Sequence, residues 1–288
     1  MKTKKDIRHE AERGKTPPPY PKLEALRAEA EEEPPVILIT VTDSAGKVVR
    51  TFSGPIARGF QRVAWNLRYP AAAAAPPRPP DAEELGFFEE PTGPFVLPGT
   101  YKVSIAKRVD GVVTPLAGPE TVTVVSDGPA GDHAARLEFE EKLAALQRAL
   151  AGANGTATAA KQRIEAIKRA LDETPSNVDK LKNDVREIDK RLAAITMALR
   201  GDTALRQRQE QTPESISERV QGIAGSMRGS MGRPTHTNLE VYQIASEELA
   251  EQLPKLRKIA EEDLKAVEKA MEAAGSPWTP GRIPDWKK

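Results

Sequence analysis

The hydrophobic period of the chain changes between residues 126 and 133, and this change constrains the fold more than any other feature. Before it, apolar and polar residues alternate, which is typical of half-buried β-strands. After it, apolar residues recur every three or four positions, which is the period of an amphipathic α-helix. A chain of 288 residues is long enough for two domains. The predicted fold class is therefore α+β, with a strand-rich domain followed by a helical one.

The strand-rich domain is predicted over residues 36–126. The runs Val36-Ile-Leu-Ile-Thr-Val-Thr and Lys47-Val-Val-Arg-Thr-Phe-Ser flank the turn Asp43-Ser-Ala-Gly46, and together they predict a β-hairpin. Further strands are expected at residues 60–68, 101–105, 112–113 and 121–125. Six or seven short strands in about 90 residues predict an immunoglobulin-like β-sandwich.

Two features of this domain bear on its packing. Alternation between residues 60 and 68 places Val63, Trp65 and Leu67 on one face, and we expect that face to be buried in the sandwich. Residues 70–94 are rich in Ala and Pro, which predicts a long surface loop of low complexity.

Residues 133–275 are predicted to form an antiparallel α-helical bundle with coiled-coil-like seams. The clearest seam steps by four and three residues through Leu181, Val185, Ile188, Leu192, Ile195 and Leu199. We expect Ile188 and Leu192 to be buried there, and Lys190 and Arg191 to face solvent.

Interruptions of the helical pattern predict where the helices end. Breaks are expected at Gly152–Gly155, at Thr174-Pro-Ser-Asn177 and at Gly201. Pro254 should either kink the last long helix or mark its start. Residues 201–237 are interpreted as an irregular loop rich in Gly and Arg.

The two ends of the chain are expected to differ in order. Residues 1–35 are highly charged and contain prolines, and they predict a linker with a short surface helix over residues 23–33. Residues 276–288 contain Trp278 and Trp286, so we expect this tail to pack back and cover apolar surface with both rings. The alternative is that the two rings form an exposed patch for a partner.

Charge and cysteine content exclude several classes of protein. Lys and Arg number 43 against 42 Asp and Glu, so the chain lacks the basic excess of a protein that coats nucleic acid. The lack of cysteine excludes disulfides, thiolate nucleophiles and iron–sulfur clusters. His9, His133 and His236 are too scattered to predict a histidine metal site. No apolar run approaches the ~20 residues of a transmembrane helix, and the basic start is not followed by the apolar stretch of a signal peptide.

Motifs that could carry chemistry are weak. The run Gly225-Ser-Met-Arg-Gly-Ser-Met-Gly232 lacks the Lys-Ser/Thr of a phosphate-binding loop. Carboxylates at residues 31–33, 83–84 and 89–90 are interpreted as solvated charge rather than a glycosidase pair. Asp43 and Asp81 are assigned to turns, and the glycosylation sequon at Asn154 to an ordinary loop. We therefore expect no catalytic residue, no cofactor and no metal.

Arginines concentrate in the segment 201–237, which makes this segment a candidate contact for an anion or a partner protein. The candidate interaction residues are Arg206, Arg208, Arg228, Trp278 and Trp286.

Three sequence blocks resemble an immunoglobulin-like module of the FlgD type. They are Leu38-Ile-Thr-Val-Thr-Asp-Ser-Ala-Gly-Lys-Val-Val-Arg-Thr-Phe, Gly59-Phe-Gln-Arg-Val-Ala-Trp-Asn-Leu-Arg and Leu97-Pro-Gly-Thr-Tyr-Lys-Val-Ser-Ile. The second block has Asn66 where that module usually has Asp. The order of the domains, together with the ending Trp278-Thr-Pro-Gly-Arg-Ile-Pro-Asp-Trp286, resembles the C-terminal region of bacterial exported sortilin-type or Asp-box (BNR) β-propeller proteins described as glycosyl hydrolase-like.

This resemblance implies a non-catalytic function. The chain is expected to be a structural or interaction region that positions or docks an upstream propeller or a partner protein, in a parent exported to the periplasm, the cell surface or the medium. The alternative is that its domains are accessory to a sialidase-like glycoside hydrolase. The active site would then lie in the propeller and outside this chain, because the chain contains no Asp-box. A third interpretation is a stand-alone protein whose bundle self-associates.

Overall fold

The computed structural model describes residues 3–14, 19–72, 92–126, 133–228 and 232–282. These residues contain both a sheet and several helices, so the α+β class is confirmed. They divide into two compact units. We call the described residues up to 71 and from 92 to 126 the sheet unit, and those from 133 to 282 the helical unit.

Four antiparallel strands form the sheet of the sheet unit, in the order β2-β1-β3-β4. The predicted hairpin of β1 and β2 is confirmed. Asp43 closes its turn because one carboxylate oxygen accepts hydrogen bonds from the backbone N–H groups of Ala45 and Lys47, both at 2.9 Å. The strands are β1 (Val36–Thr42), β2 (Val48–Gly54), β3 (Gly99–Val109) and β4 (Val112–Val124).

The strand predicted at residues 60–68 is wrong. Residues 60–66 have no regular secondary structure, and Arg68 forms an isolated bridge with Phe95. Leu67 has a φ of 56°, which lies in the left-handed region and cannot belong to an extended strand. The two strands predicted at residues 112–113 and 121–125 are also one continuous strand, β4.

The core of the sheet unit contains one of the three residues expected there. Trp65 is half-buried, and its ring packs edge to face on Tyr101 with 5.4 Å between the centroids. Val63 and Leu67 are exposed, so the prediction of a common buried face is wrong. Buried residues of this core are Val41, Val49, Val96, Tyr101 and Val124.

The two ends of the predicted loop 70–94 are paired to each other. The backbone N–H of Tyr69 donates to the carbonyl of Pro94, and that of Val96 donates to the carbonyl of Leu67, each at 2.9 Å. Residues 73–91 of this loop, with Asp81 and the carboxylates at 83–84 and 89–90, lie outside the described residues.

The described part of the segment 1–35 contains two helices where one was predicted. They are α1 (Lys4–Glu12), which was not predicted, and α2 (Leu23–Ala30), which lies within the helix predicted over residues 23–33. Arg8 joins the two helices through two 2.8 Å hydrogen bonds from its Nε and Nη2 atoms to the carboxylate oxygens of Glu29. This paired geometry orders a segment that has few apolar residues to bury.

Six helices and a π-helical turn pack in the described part of the helical unit. They are α3 (His133–Asp172), α4 (Asp179–Arg200), α5 (Thr203–Gln207), α6 (Ile216–Arg228), α7 (His236–Lys258), the π turn (Ile259–Asp263) and α8 (Leu264–Ala273). The seam predicted for α4 is confirmed, because Ile188 and Leu192 are buried whereas Lys190 and Arg191 are exposed.

The break predicted at Gly152–Gly155 is wrong, since α3 runs through it without interruption. Both glycines face open space, and Ala153, Ala157 and Ala160 between and after them are buried. A helix glycine costs roughly 1 kcal/mol relative to Ala, and burial of the alanine face outweighs that cost. Asn154 therefore lies within a helix and not in a loop.

Two further expectations for the helical unit need correction. The segment 201–237 contains α6, which buries Ile216, Val220, Ile223 and Met227 in the core. Pro254 does not start the last long helix, because α7 begins at His236 and continues through it.

The π turn changes which residues of the last long helix face the core. The sequence pattern steps from Leu256 to Ala260 to Leu264, but the buried residues are Leu256, Ile259 and Leu264. A π turn adds one residue to the helical repeat, which accounts for the five-residue step between Ile259 and Leu264.

Candidate interaction surfaces

An exposed apolar surface of the sheet unit lies on the strand pair β3–β4. We call it the hairpin surface, and it consists of Val109, Val112, Val113, Leu116 and Val122. Every residue of β4 from Val112 to Thr123 is exposed. The side chains range from 36% exposed at Val109 to 66% at Val112. Exposed apolar side chains grouped on one pair of strands can mark a binding site.

β4 lies at one edge of the sheet. It pairs with β3, and no other strand of the described sheet lies on its far side. The pairing is irregular near Ile105, where the register shifts on both sides. Gly118 has a φ of 91°, and an added Cβ would approach the carbonyl oxygen of Val103 to 2.6 Å, so the shift requires glycine there.

Two prolines in β4 limit how its edge can be used. Pro115 and Pro119 have no backbone N–H group, so the free edge cannot form an uninterrupted ladder with an added strand. The edge is thereby protected from strand pairing, whereas its apolar side chains remain available. The arrangement suits side-chain packing better than strand addition.

The arginines predicted as interaction residues have different surroundings. Arg206 donates from Nη2 to the carbonyl of Arg200 at 2.7 Å and forms an ion pair with Glu218 at 3.1 Å. It therefore closes the turn that follows α4. Arg208, directly after α5, and Arg228, at the end of α6, are exposed.

The tail is attached through residues other than its tryptophans. Trp278 is 58% exposed, so the expectation that its ring covers apolar surface is wrong. Its Nε1 donates to the carbonyl of Arg282 at 3.0 Å. Ser276 lies 2.8 Å from the Thr174 hydroxyl, and Thr279 is buried. Trp286 lies outside the described residues.

A charged cluster around the buried Glu268, which sequence analysis missed, contacts this tail. Glu268 is 7% exposed and accepts hydrogen bonds from Arg163. Arg282 donates from Nη1 to the backbone carbonyl of Glu268 at 3.3 Å and from Nη2 to that of Pro277 at 2.9 Å. In the sequence, Glu268 directly follows Val267, which belongs to the apolar face of α8. A carboxylate next to a core position was the signal from which this cluster could have been predicted.

A buried arginine joins two helices of the core. Arg136 is 4% exposed, and its Nη2 donates to the carbonyl of Met227 at 2.7 Å and to Glu140 at 2.9 Å. The contact links the first turn of α3 to the last turn of α6. It satisfies buried polar groups and has a structural role.

An ion-pair network lies between α3 and α4. Asp189 of α4 accepts hydrogen bonds from Lys161 at 2.8 Å and from Lys168 at 2.6 Å, and both lysines also contact Glu165. Burial alone would raise the pKa of Asp189, but the two lysines outweigh burial and lower it. The hydrogen bond to Asp189 also contributes most to raising the pKa of Lys168.

The remaining sequence candidates have structural surroundings. Asn154 accepts a hydrogen bond from Arg200 Nε at 2.7 Å, and Glu32 accepts one from the backbone of Lys4 at 2.6 Å. Gly225 to Arg228 of the glycine-rich run belong to α6, and residues 229–231 lie outside the described part. Within the described residues, no group of three or more His, Asp or Glu side chains could hold a metal ion.

No helix in the described part of the chain combines the length and the apolar content that crossing a bilayer requires. Comparison of the chain with protein-family models, with curated proteins and with solved structures finds no match.

Proposed function

We propose that this chain is a non-catalytic docking protein whose hairpin surface binds a protein partner. The observation that carries the proposal is the exposure of β4 along nearly its whole length, with Val112, Val113, Leu116 and Val122 all open to solvent. Burying a fully exposed Val or Leu side chain is worth about 1.5–3 kcal/mol. Burial of several half-exposed Val and Leu side chains together can supply enough free energy to bind a partner domain.

The partner is a folded protein with an apolar face. Pro115 and Pro119 interrupt the backbone edge of β4 and leave side-chain packing as the means of contact. The hairpin surface carries apolar residues on both faces of the strand, since Val112 and Val113 are adjacent and both are exposed. A partner that packs around the end of the hairpin would cover both.

We further propose that the sheet unit is an immunoglobulin-like module of the FlgD type, and that the helical unit is an antiparallel bundle that serves as a spacer. Packing of Trp65 on Tyr101 supports this module. So does the hydrogen bond from the Tyr101 hydroxyl to the carbonyl of Leu97 at 2.7 Å, which is similar to the tyrosine corner of immunoglobulin-like folds. In this proposal the partner is the β-propeller of an exported parent or a separate protein.

Site-specific crosslinking tests the docking function. A photoreactive residue is placed at Leu116 or, as a matched control, at Met197 of α4, since the two side chains are 51% and 50% exposed. In the producing cell we expect Leu116 to crosslink one defined protein or the upstream domain, and Met197 not to. Adding Val112→Lys should abolish the crosslink. Equal products from both positions, or none from Leu116, would contradict the proposal.

A further inference from the structure

The segment that follows β1 has an unusual charge. Residues 44–72 contain Lys47, Arg50, Arg58, Arg62 and Arg68 but no Asp or Glu, although the whole chain has 43 basic and 42 acidic residues. A local cationic excess of this kind attracts anionic surfaces.

Two of these arginines are used within the fold. Nη1 of Arg50 donates to the Asn66 side chain at 3.1 Å and to the carbonyl of Arg68 at 3.3 Å. The guanidinium of Arg68 lies 3.5 Å from the centroid of the Phe95 ring. Arg58 and Arg62 are exposed, and neither forms an ion pair with another residue of the described chain.

The same segment exposes apolar side chains. Residues 55–63, which we call loop 55–63, follow β2 and turn at Gly59, whose φ is 100°. Phe60 is fully exposed, so its side chain makes almost no contact with the rest of the protein. Ile56 and Val63 are 42% and 40% exposed. A fully exposed aromatic ring is costly in water unless something else covers it.

We propose that loop 55–63 attaches the chain peripherally to an anionic phospholipid bilayer. Ile56, Phe60 and Val63 would enter the boundary between headgroups and acyl chains, and Arg58 and Arg62 would contact the lipid phosphates. A protein partner would need a pocket shaped for the protruding Phe60 ring, whereas a bilayer accepts it without matching shape. Loop 55–63 shares no residue with the hairpin surface, so this inference does not depend on the proposed docking function.

Vesicle binding by the full chain tests the inference. The probes are vesicles of phosphatidylcholine alone and vesicles of phosphatidylcholine and phosphatidylglycerol in equal parts, separated by flotation. We expect binding to the anionic vesicles only, and loss of binding in high salt. Phe60→Ser should weaken binding at least about tenfold, because it removes the largest inserted side chain. Arg58→Gln and Arg62→Gln should each weaken it about fivefold.

Matched variants in the helical unit distinguish binding through loop 55–63 from nonspecific binding by exposed apolar or basic side chains. Leu239→Ser removes a side chain that is 48% exposed, and Arg257→Gln removes an exposed charge. Both should leave vesicle binding unchanged. All variants are at exposed positions, and an unchanged melting temperature confirms folding. Three outcomes would overturn the inference: equal binding to neutral vesicles, binding that the loop variants do not weaken, or no vesicle binding by the folded chain. The last outcome would favour a protein ligand for Phe60.

Discussion

The guanidinium of Arg163 donates two hydrogen bonds to one carboxylate oxygen of Glu268, with distances of 2.8 Å from Nη2 and 3.2 Å from Nε. Both residues belong to the helical unit, on α3 and α8. The contact lies next to Arg282, which binds the backbone of Glu268. It therefore joins the longest helix, the last helix and the tail.

Removing Arg163 alone should be costly, because Glu268 would remain buried without a partner. We expect Arg163→Met to lower the free energy of unfolding by roughly 3 kcal/mol. Urea denaturation followed by circular dichroism measures it. Arg163→Met combined with Glu268→Met should restore part of the loss, since no unpaired charge remains. If the double variant loses as much free energy of unfolding as the two single variants together, the two residues are not energetically coupled.

Alanine at Gly152 or Gly155 should stabilise the helical unit. Both positions are helical, and an added Cβ at either one meets no atom within 4 Å. We expect each substitution to raise the free energy of unfolding by about 0.5–1 kcal/mol. Gly201→Ala is the contrasting variant, because the φ of Gly201 is 86° and the Arg206 guanidinium occupies the space. Thermal melting should move upward for the first two and downward for the third.

Trp65→Ala should destabilise the sheet unit, but by less than the loss of a fully buried ring. The side chain is half-buried against Tyr101, so we expect a loss of about 2–3 kcal/mol. Val63→Ala, at a residue 40% exposed, should change stability by less than about 0.5 kcal/mol. Denaturation followed by tyrosine fluorescence measures both. Similar losses for the two variants would mean that residues 63–67 pack as a unit after all.

Acid should remove the contribution of Asp189 to stability. Its pKa is lowered in the folded chain, so its contribution is present above the unfolded value near 3.8 and is lost as the pH falls through the folded pKa. Asp189→Asn should cost about 1 kcal/mol at neutral pH and nothing in strong acid. Asp184→Asn, at an exposed residue of the same helix, is the control. A pH-independent difference between wild type and Asp189→Asn would contradict the assignment.

Local patterns predicted the elements that depend on one clear period. The α4 seam was predictable because Ile188 and Leu192 alternate with charged residues on the outer face. The missed helix α6 carries the same signal, since Ile216, Val220, Ile223 and Met227 step by four, three and four. This helix was not predicted because the glycine and arginine content of the segment favoured a loop, although the apolar residues have a helical period.

Other features depend on distant contacts and were not predictable from local patterns. The glycines at 152 and 155 indicated a break, but burial of the neighbouring alanines keeps α3 continuous. The strand predicted at residues 60–68 failed because alternation alone does not supply a neighbouring strand. For the hairpin surface, the sequence predicted strands at Val112 and Val122 but not their exposure, because strand periodicity does not show whether another layer covers the sheet.

The length of α3 has a mechanical consequence for the helical unit. At about 1.5 Å per residue, its 40 residues measure about 60 Å from end to end. The chain enters this helix at His133, and the hydroxyls of Thr174 and Ser276 place the start of the tail at the opposite end. Within the helical unit, His133 and the start of the tail therefore lie at opposite ends of one continuous helix. A force applied between these two points would be transmitted along α3 rather than absorbed by a loop.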